Sequence, residues 1–176
     1  MNSDRQCIRQ SNSGFTLIEL IVVLVIAMLL SVLAVSGFNN LIRQVRISLV
    51  ASELRSAISL TRSEAIRRNG KVSLTAIGGD WKNGWIVSNA EHQQIMVHEA
   101  LAEDFLVQAK LSDGTQNIAF NGAGQSRRSS NDNASQAGHI YLFLGDHSRL
   151  IIINFLSRIK ICNPATDKSC TVNQTD

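Results

Sequence analysis

One carboxylate stands alone in a long apolar segment near the start of this 176-residue sequence. From Phe15 to Phe38 the only ionisable side chain is that of Glu19. A charged group at the edge of a bilayer's hydrocarbon costs a few kcal/mol unless an opposite charge pairs with it. We therefore expect Glu19 to have a function. The alternative is a plain membrane anchor that tolerates one glutamate.

The other polar side chains form no pattern that favours catalysis. His92 and His98 have neither the spacing of a helical pair nor a known metal-ligand spacing. Residues 146–148 read Asp-His-Ser, but they stand in a predicted turn, and a catalytic triad is recognised by geometry and not by adjacency. The sequence therefore predicts no enzyme activity, no cofactor and no metal site.

The apolar segment at 15–38 is long enough to span a bilayer, for which about 20 apolar residues suffice. An ordinary secretory signal carries its apolar core before the cleavage site, whereas here the core follows Gly14. The stretch before it, 1–14, has a small excess of arginine over acid. By the positive-inside rule this stretch stays cytoplasmic, and the chain after the apolar segment lies outside.

Residues 14–19 read Gly-Phe-Thr-Leu-Ile-Glu, which resembles the class III leader of type IV pilins and type II secretion pseudopilins. The resemblance implies that prepilin peptidase removes the leader peptide, 1–14, by cleaving between Gly14 and Phe15, and that Phe15 is N-methylated. It also implies that Glu19 pairs with the free amino terminus of a neighbouring subunit, which would give a charge in apolar packing its partner. The implied partners are other major and minor pilins, or pseudopilins, in the inner membrane.

The cysteines are an odd number in the full sequence and an even number after such a cleavage. Cys7 lies in the predicted leader, which leaves Cys162 and Cys170 in a compartment that oxidises thiols. We expect these two to form a disulfide that tethers the carboxyl-terminal tail. The alternative is a metal site, which two thiols without a nearby histidine do not favour.

The sequence predicts one long helix, because no proline occurs from Phe15 to about Arg68. Its second part, 39–69, is amphipathic and ends at a basic turn followed by Asn69 and Gly70. Apolar or small residues recur at steps of three and four: Val50, Leu54, Ala57, Ile58, Thr61 and Ala65. This stripe is expected to pack on a following sheet.

The hydrophobic pattern changes to a period of two in the predicted head, 70–176. Strands are expected at 71–77, 84–88, 94–98, 105–110, 116–120, 139–144, 149–155 and 158–161. Two hairpin turns are expected, at 112–115 and 145–148. The segment 121–138 has no large apolar side chain, so we expect a mobile surface loop. The predicted fold class is α+β, with a long helix packed against an antiparallel sheet.

Three segments, 54–72, 81–87 and 153–162, resemble the GspH/FimT/FimU group. The resemblance implies a minor subunit at or near the tip of a type IV pilus, taking part in its assembly. A minor pseudopilin of a type II secretion system is the alternative. Either implies a single-pass inner-membrane protein of a Gram-negative bacterium with a periplasmic head, which for a pilin later reaches the cell surface.

Binding of double-stranded DNA during natural transformation is a third possibility. FimT-like members of the group carry a Gly-Arg-x-Arg motif, and the matching residues here, 157–160, read Ser-Arg-Ile-Lys. Arg158 and Lys160 would share a face on a strand, and further cations could add to them: Lys168, Arg127 and Arg128. The alternative is an ordinary solvated face, and a net charge of +3 is too small to indicate nucleic-acid binding by itself.

Overall fold

The structure, a computed structural model, describes residues 14–129 and 131–170, with the backbone alone for 32–37. The predicted leader, 1–14, therefore lies outside the described residues except for Gly14. The chain divides into two compact units, Met1–Leu41 and Ile42–Asp176. One helix, α1 (Leu17–Arg68), contributes residues to both units.

Helix α1 ends where the sequence predicts. Asn69 adopts a left-handed conformation with φ 48°, and the Gly70 N–H donates to the Ala65 carbonyl (3.1 Å), as in a helix cap that uses a left-handed residue. Every residue of the predicted stripe between Val50 and Ala65 is buried. Thr61 is the polar member of that stripe, and its hydroxyl donates to the Ala57 carbonyl (2.7 Å).

Nine strands follow the helix in the described residues. They are β1 (Val72–Ala76), β2 (Trp85–Asn89), β3 (Gln94–His98), β4 (Phe105–Leu111), β5 (Asn117–Phe120), β6 (Ser126–Arg127), β7 (Gly138–Leu144), β8 (His147–Ile153) and β9 (Ile159–Cys162). Two short 3-10 turns, Ile77–Gly79 and Trp81–Asn83, connect β1 to β2. The eight predicted strands all occur, with ends that differ by up to two residues, while the two-residue β6 was missed.

The strands form two antiparallel sheets that share no strand. One has the order β3-β2-β1-β5-β6 and the other the order β4-β7-β8-β9. A single cluster of buried apolar side chains includes Leu54 and Ile58 of α1, Leu74 of β1, and Ile140 and Ile151 of the second sheet. The predicted α+β fold, with a long helix packed on antiparallel sheet, is confirmed.

One predicted hairpin is confirmed and the other is wrong. Strands β7 and β8 pair directly across the turn at 145–146, with Leu144 opposite His147. The turn at 112–115 is present, but β4 pairs with β7 and β5 pairs with β1. This turn therefore carries the chain from one sheet to the other. The hairpin was predicted wrongly because a local turn signal does not specify which strands pair across it.

The segment 121–138 contains a strand and buried polar side chains that the sequence did not predict. It contains β6, which pairs with β5, and its side chains of Ser126 and Gln136 are almost completely buried. The Ser126 hydroxyl donates to the Gln136 carbonyl (2.7 Å), and the Gln136 amide donates to the Asn117 carbonyl (2.8 Å). The apolar content did not indicate this strand or these buried hydrogen bonds, and the mobility of the segment stays a prediction.

The approach of β3 to Gly84 generates a first prediction. Gly84 has φ 93°, and a Cβ atom there would lie 2.2 Å from the His98 carbonyl oxygen. Gly84→Ala should therefore lower the free energy of unfolding by about 3 kcal/mol or more, from backbone strain and steric overlap together. Urea unfolding followed by tryptophan fluorescence measures it, since Trp81 and Trp85 are buried beside this glycine.

Gly79→Ala is the matched control, because Gly79 also has a positive φ of 80° but open space around its Cβ position. This substitution should cost only about 1 kcal/mol, from the backbone conformation alone. Equal losses in the two variants would contradict the steric explanation.

Asp113 generates a second prediction, because its carboxylate links the sheet-crossing turn to the buried polar segment. It accepts hydrogen bonds from the Thr115 hydroxyl (2.8 Å) and backbone (3.1 Å), the Ser129 backbone (3.0 Å) and the Gln136 amide (3.1 Å). Burial raises the pKa of Asp113, but these hydrogen bonds together outweigh it and hold that pKa below its usual value. The stabilisation is therefore complete above the unfolded pKa of about 4 and is lost as the pH falls through the lower folded pKa.

Asp113→Asn should lower the free energy of unfolding by about 1–3 kcal/mol at pH 7 and should reduce its decrease below pH 4. Urea unfolding at pH 7 and pH 3 tests both effects. Asp146→Asn, in the exposed turn between β7 and β8, is the control and should change neither. The same decrease toward pH 3 in wild type and Asp113→Asn would contradict the assignment.

Candidate functional site

The first candidate site is the amino-terminal turn of α1, where the predicted cleavage site lies close to Glu19. Gly14, Phe15 and Thr16 are exposed and precede the helix. The Thr16 hydroxyl oxygen accepts a hydrogen bond from the Glu19 backbone N–H (3.3 Å), which is half of a capping box. The Glu19 side chain is exposed, and among residues 14–129 and 131–170 no cation lies within ion-pair distance of it.

The described part of the first unit exposes almost every large apolar side chain that it contains. The exposed set is Phe15, Leu17, Ile18, Leu20, Ile21, Val22, Val23, Leu24, Val25, Ile26, Met28, Leu29, Leu30, Phe38 and Leu41. Among the described residues, no helix combines enough length with enough apolar character to cross a membrane. The predicted span, 15–38, includes 32–37, whose side chains lie outside the described residues, so the membrane crossing stays a prediction.

In the second unit, α1 has an exposed apolar stripe in addition to its buried one. Ile42, Val45 and Leu49 recur at steps of three and four, and each is at least 41% exposed. They alternate along the helix with Ile47 and Val50, which are buried in the core. Since side chains at such steps share one helix face, this stripe is an apolar surface on the side away from the core.

The predicted disulfide between Cys162 and Cys170 is present, with a Cα–Cα distance of 5.7 Å. Both cysteines are buried and pack against Leu150. Lys160 lies on β9, outside the loop that they close. Its Nζ donates to the carbonyl (3.1 Å) and hydroxyl (2.7 Å) oxygens of Ser169, which lies in the loop. The tail is therefore attached to β9 by a covalent bond and by these hydrogen bonds.

Lys160 also lies 3.6 Å from the Asp167 carboxylate. Hydrogen bonds from Ser169, and then the charge of Lys160, hold the pKa of Asp167 below its usual value. Lys160 is exposed, but its charge is partly neutralised in place. Lys168 is exposed beside this pair, in the loop that the disulfide closes.

The turn between β8 and β9 presents Arg158 to solvent. The residue before it, Ser157, is buried and has a positive φ of 61°. That conformation suits glycine, which is the residue that the Gly-Arg-x-Arg pattern has at this position. The serine here departs from that pattern. The Ser157 hydroxyl oxygen accepts a hydrogen bond from the Ser126 backbone N–H (2.7 Å), and the Ser157 carbonyl accepts one from Arg62 (3.2 Å).

The Ser126–Ser157 contact joins the segment that carries Arg127 and Arg128 to the turn that carries Arg158. Arg127 and Arg128 follow Ser126 directly and are half-buried. Arg127 donates to the Asn133 carbonyl (3.1 Å) and to the Gln125 side chain, so its orientation is fixed. Sequence reasoning missed the role of Arg62, since nothing in the helix pattern indicates a bond to a residue so distant in sequence.

The five predicted cations thus belong to three segments: Arg127 and Arg128 at the end of β6, Arg158 and Lys160 around the start of β9, and Lys168 in the disulfide loop. The first segment contacts the second through Ser126 and Ser157, and the third contacts the second through Ser169 and Lys160. We call this set the cation cluster. Its geometry permits contacts with phosphate groups, which need donors but no sequence-specific arrangement. No group of three or more His, Cys, Asp or Glu side chains within the described part of the chain is arranged to hold a metal ion.

Comparison with solved structures shows that this fold is known. A crystal structure of the type IV minor pilin FimU of Pseudomonas aeruginosa (strain PAO1) has a TM-score of 0.55 and 19% identity, covering 72% of this chain and 96% of that chain. The minor pseudopilin EpsH from the type 2 secretion system of Vibrio cholerae has a TM-score of 0.51 and 11% identity, covering 67% and 97%. At these identities the likeness establishes the fold alone.

Sequence families give the classification. The prokaryotic N-terminal methylation motif matches residues 9–35, a range that begins outside the described residues. The family described as type II transport protein GspH matches residues 50–157, which include the second half of α1 and most of both sheets. No curated protein sequence matches the chain. Because the family match extends over more than half of the sequence, this chain belongs to the GspH family.

Proposed function

We propose that this protein is a minor subunit of a type IV pilus that takes part in assembling the filament near its tip. The observation that carries the proposal is the apolar start of α1, which exposes its large side chains while Glu19 is its only ionisable residue. Burial of such surface contributes about 25 cal/mol per Å². A segment of this kind must be covered, first by a membrane and then by other subunits.

In this proposal prepilin peptidase cleaves between Gly14 and Phe15 and methylates the new amino terminus. The methylation motif at 9–35 supports this processing. Residues 15–38 hold the unprocessed and then the mature chain in the inner membrane, with the head, 70–176, in the periplasm. Glu19 then pairs with the amino group of a neighbouring pilin, because the two charges neutralise each other in apolar packing.

The exposed stripe of Ile42, Val45 and Leu49 extends the assembly surface along the helix. Side chains at these steps fit the grooves of another helix. We therefore propose that helices of other pilins contact this stripe as well as the first apolar segment.

A minor pseudopilin of a type II secretion system is the second candidate. The description of the matching family, type II transport protein GspH, favours it. The same helix and head would serve either filament, so the two candidates differ in their partners. A deletion strain complemented with this gene separates them. Restored surface pili would support the pilin, and restored protein secretion would support the pseudopilin.

The role of Glu19 generates a third prediction. Glu19→Ala should reduce surface pili, or secretion, at least about tenfold, because the apolar packing would then leave the neighbour's amino group without a partner. Complementation of a deletion strain measures it, with Glu91→Ala as the control, since Glu91 is an exposed carboxylate of the head. Wild-type levels with Glu19→Ala would contradict the proposed pairing.

The same strain tests the processing. Mass spectrometry of the mature protein should find N-methylated Phe15 as its first residue. A functional protein that still begins at Met1 would contradict the subunit role as a whole.

We also propose that the cation cluster binds double-stranded DNA, which would make this subunit a DNA receptor. The contact between Ser126 and Ser157 supports it, because it gathers cations from separate segments. Lys and Arg contacts to phosphates are insensitive to sequence and weaken with salt.

The fourth prediction concerns a double variant, Arg158→Gln with Lys160→Gln. The double variant should bind duplex DNA more weakly, and the slope of log affinity against log salt should fall by about two, because two phosphate contacts are lost. Fluorescence anisotropy with the full chain in neutral detergent measures it. Arg55→Gln with Lys82→Gln removes the same charge elsewhere and should leave the slope unchanged. Equal slopes in all three proteins would contradict this site.

A further inference from the structure

The outward face of the second sheet is open and unusually aromatic. Residues that point away from α1 on its four strands form three rows across the sheet. By pairing register the rows are Lys110–His139–Ile152–Lys160, then Gln108–Tyr141–Leu150–Cys162, then Leu106–Phe143–Ser148. We call the aromatic residues of β7 in these rows, His139, Tyr141 and Phe143, the aromatic column.

The rings of the aromatic column contact one another in order along the strand. His139 and Tyr141 meet edge to face with centroids 5.5 Å apart, and Tyr141 and Phe143 lie nearly parallel at 5.7 Å. All three are half-buried, and Leu106 beside Phe143 is 54% exposed. The disulfide loop packs on Leu150 at the β9 side. Planar apolar surface therefore remains open on β7 and β4.

Positive charge borders this surface at both edges of the sheet. Lys110 on β4 and Lys160 on β9 stand at the two ends of the row that contains His139, and both are exposed. No acidic residue occurs among the outward-facing positions of the three rows; the nearby Asp167 belongs to the disulfide loop, where it pairs with Lys160. Burial and then the charge of Lys110 hold the pKa of His139 below its usual value, so its ring is neutral near pH 7.

The charge and the rings together select one kind of ligand. Lysines at the edges favour a polyanion over a neutral sugar chain, and open rings favour a ligand with flat faces. Alternate residues of a strand are about 6.6 Å apart, whereas bases stacked in a duplex are about 3.4 Å apart. Only an unstacked single strand can place successive bases on successive rings of this column.

We propose that the outward face of the second sheet binds single-stranded nucleic acid, with bases stacked on Tyr141 and Phe143 and phosphates contacted by Lys110 and Lys160. Stacking on aromatic side chains between cations is the general means by which sheets hold single strands. The site does not depend on the subunit role proposed above. It shares Lys160 alone with the cation cluster, which was proposed for duplex DNA.

The fifth prediction uses fluorescein-labelled dT20 and the full chain in neutral detergent. Tyr141→Leu with Phe143→Leu keeps apolar bulk but removes both rings, and it should weaken binding at least about fivefold. Phe155→Leu removes an exposed aromatic ring in the turn between β8 and β9 and should leave the affinity unchanged. The swap Tyr141→Phe with Phe143→Tyr keeps two rings and should bind within about twofold of wild type.

A second arm does not depend on the folding of any variant. With 5-iodouracil in the oligonucleotide, ultraviolet light should cross-link the wild-type chain to the peptide that contains Tyr141 and Phe143. Excess unlabelled dT20 should abolish this cross-link, while dextran sulfate at equal charge should not.

Three results would overturn the proposal: no binding of dT20, equal affinity in the double leucine variant, or competition by dextran sulfate as strong as that by dT20. Absence of dT20 binding would exclude the site, and equal affinity in the double leucine variant would exclude a role of the two rings in binding. Strong competition by dextran sulfate would show that charge alone attracts the oligonucleotide. Loss of duplex binding in Arg158→Gln, which leaves Lys160 in place, with dT20 cross-linking retained, would separate this site from the cation cluster.

Discussion

The head depends on one face of α1 being covered by two sheets at once. The sheets share no strand, and Leu54 and Ile58 of the helix are fully buried in the single core that includes residues of both. Polar contacts at the rim then fix the helix in place: Arg46 donates to both oxygens of Asp104 (2.7 and 3.0 Å) and lies 5.4 Å from the ring centre of Phe105. Exposed ion pairs contribute little, so apolar burial on α1 supplies most of the stability.

Two unconnected sheets require the chain to cross between them three times, and two of these crossings are polar for a physical reason. A crossing backbone has left one ladder and has not entered the next, so its N–H and C=O groups need other partners. Asp113 and Thr115 supply them in the crossing from β4 to β5. Ser126 and Gln136 supply them in the crossing from β6 to β7.

This arrangement explains what the sequence could and could not predict. Periodicity is a local property, so it located α1, its end at Arg68 and eight of the strands. Pairing is not local, and the turn signal at 112–115 was therefore taken for a hairpin. Strand β6 and the burial of Ser126 and Gln136 were missed because apolar content says nothing about buried hydrogen bonds. The disulfide followed from the cysteine count, whereas the aromatic column required the register of β7 against its neighbours.

Ser157, which departs from the Gly-Arg-x-Arg motif, links two segments of the head by a hydrogen bond. A serine with φ 61° costs about 1–2 kcal/mol relative to glycine, but its hydroxyl oxygen accepts the Ser126 N–H and lies 3.1 Å from the Ser126 hydroxyl. Glycine at this position would relax the turn and lose these contacts. The serine therefore couples the turn that presents Arg158, between two strands of one sheet, to the segment that carries Arg127 in the other sheet, through a buried hydrogen bond.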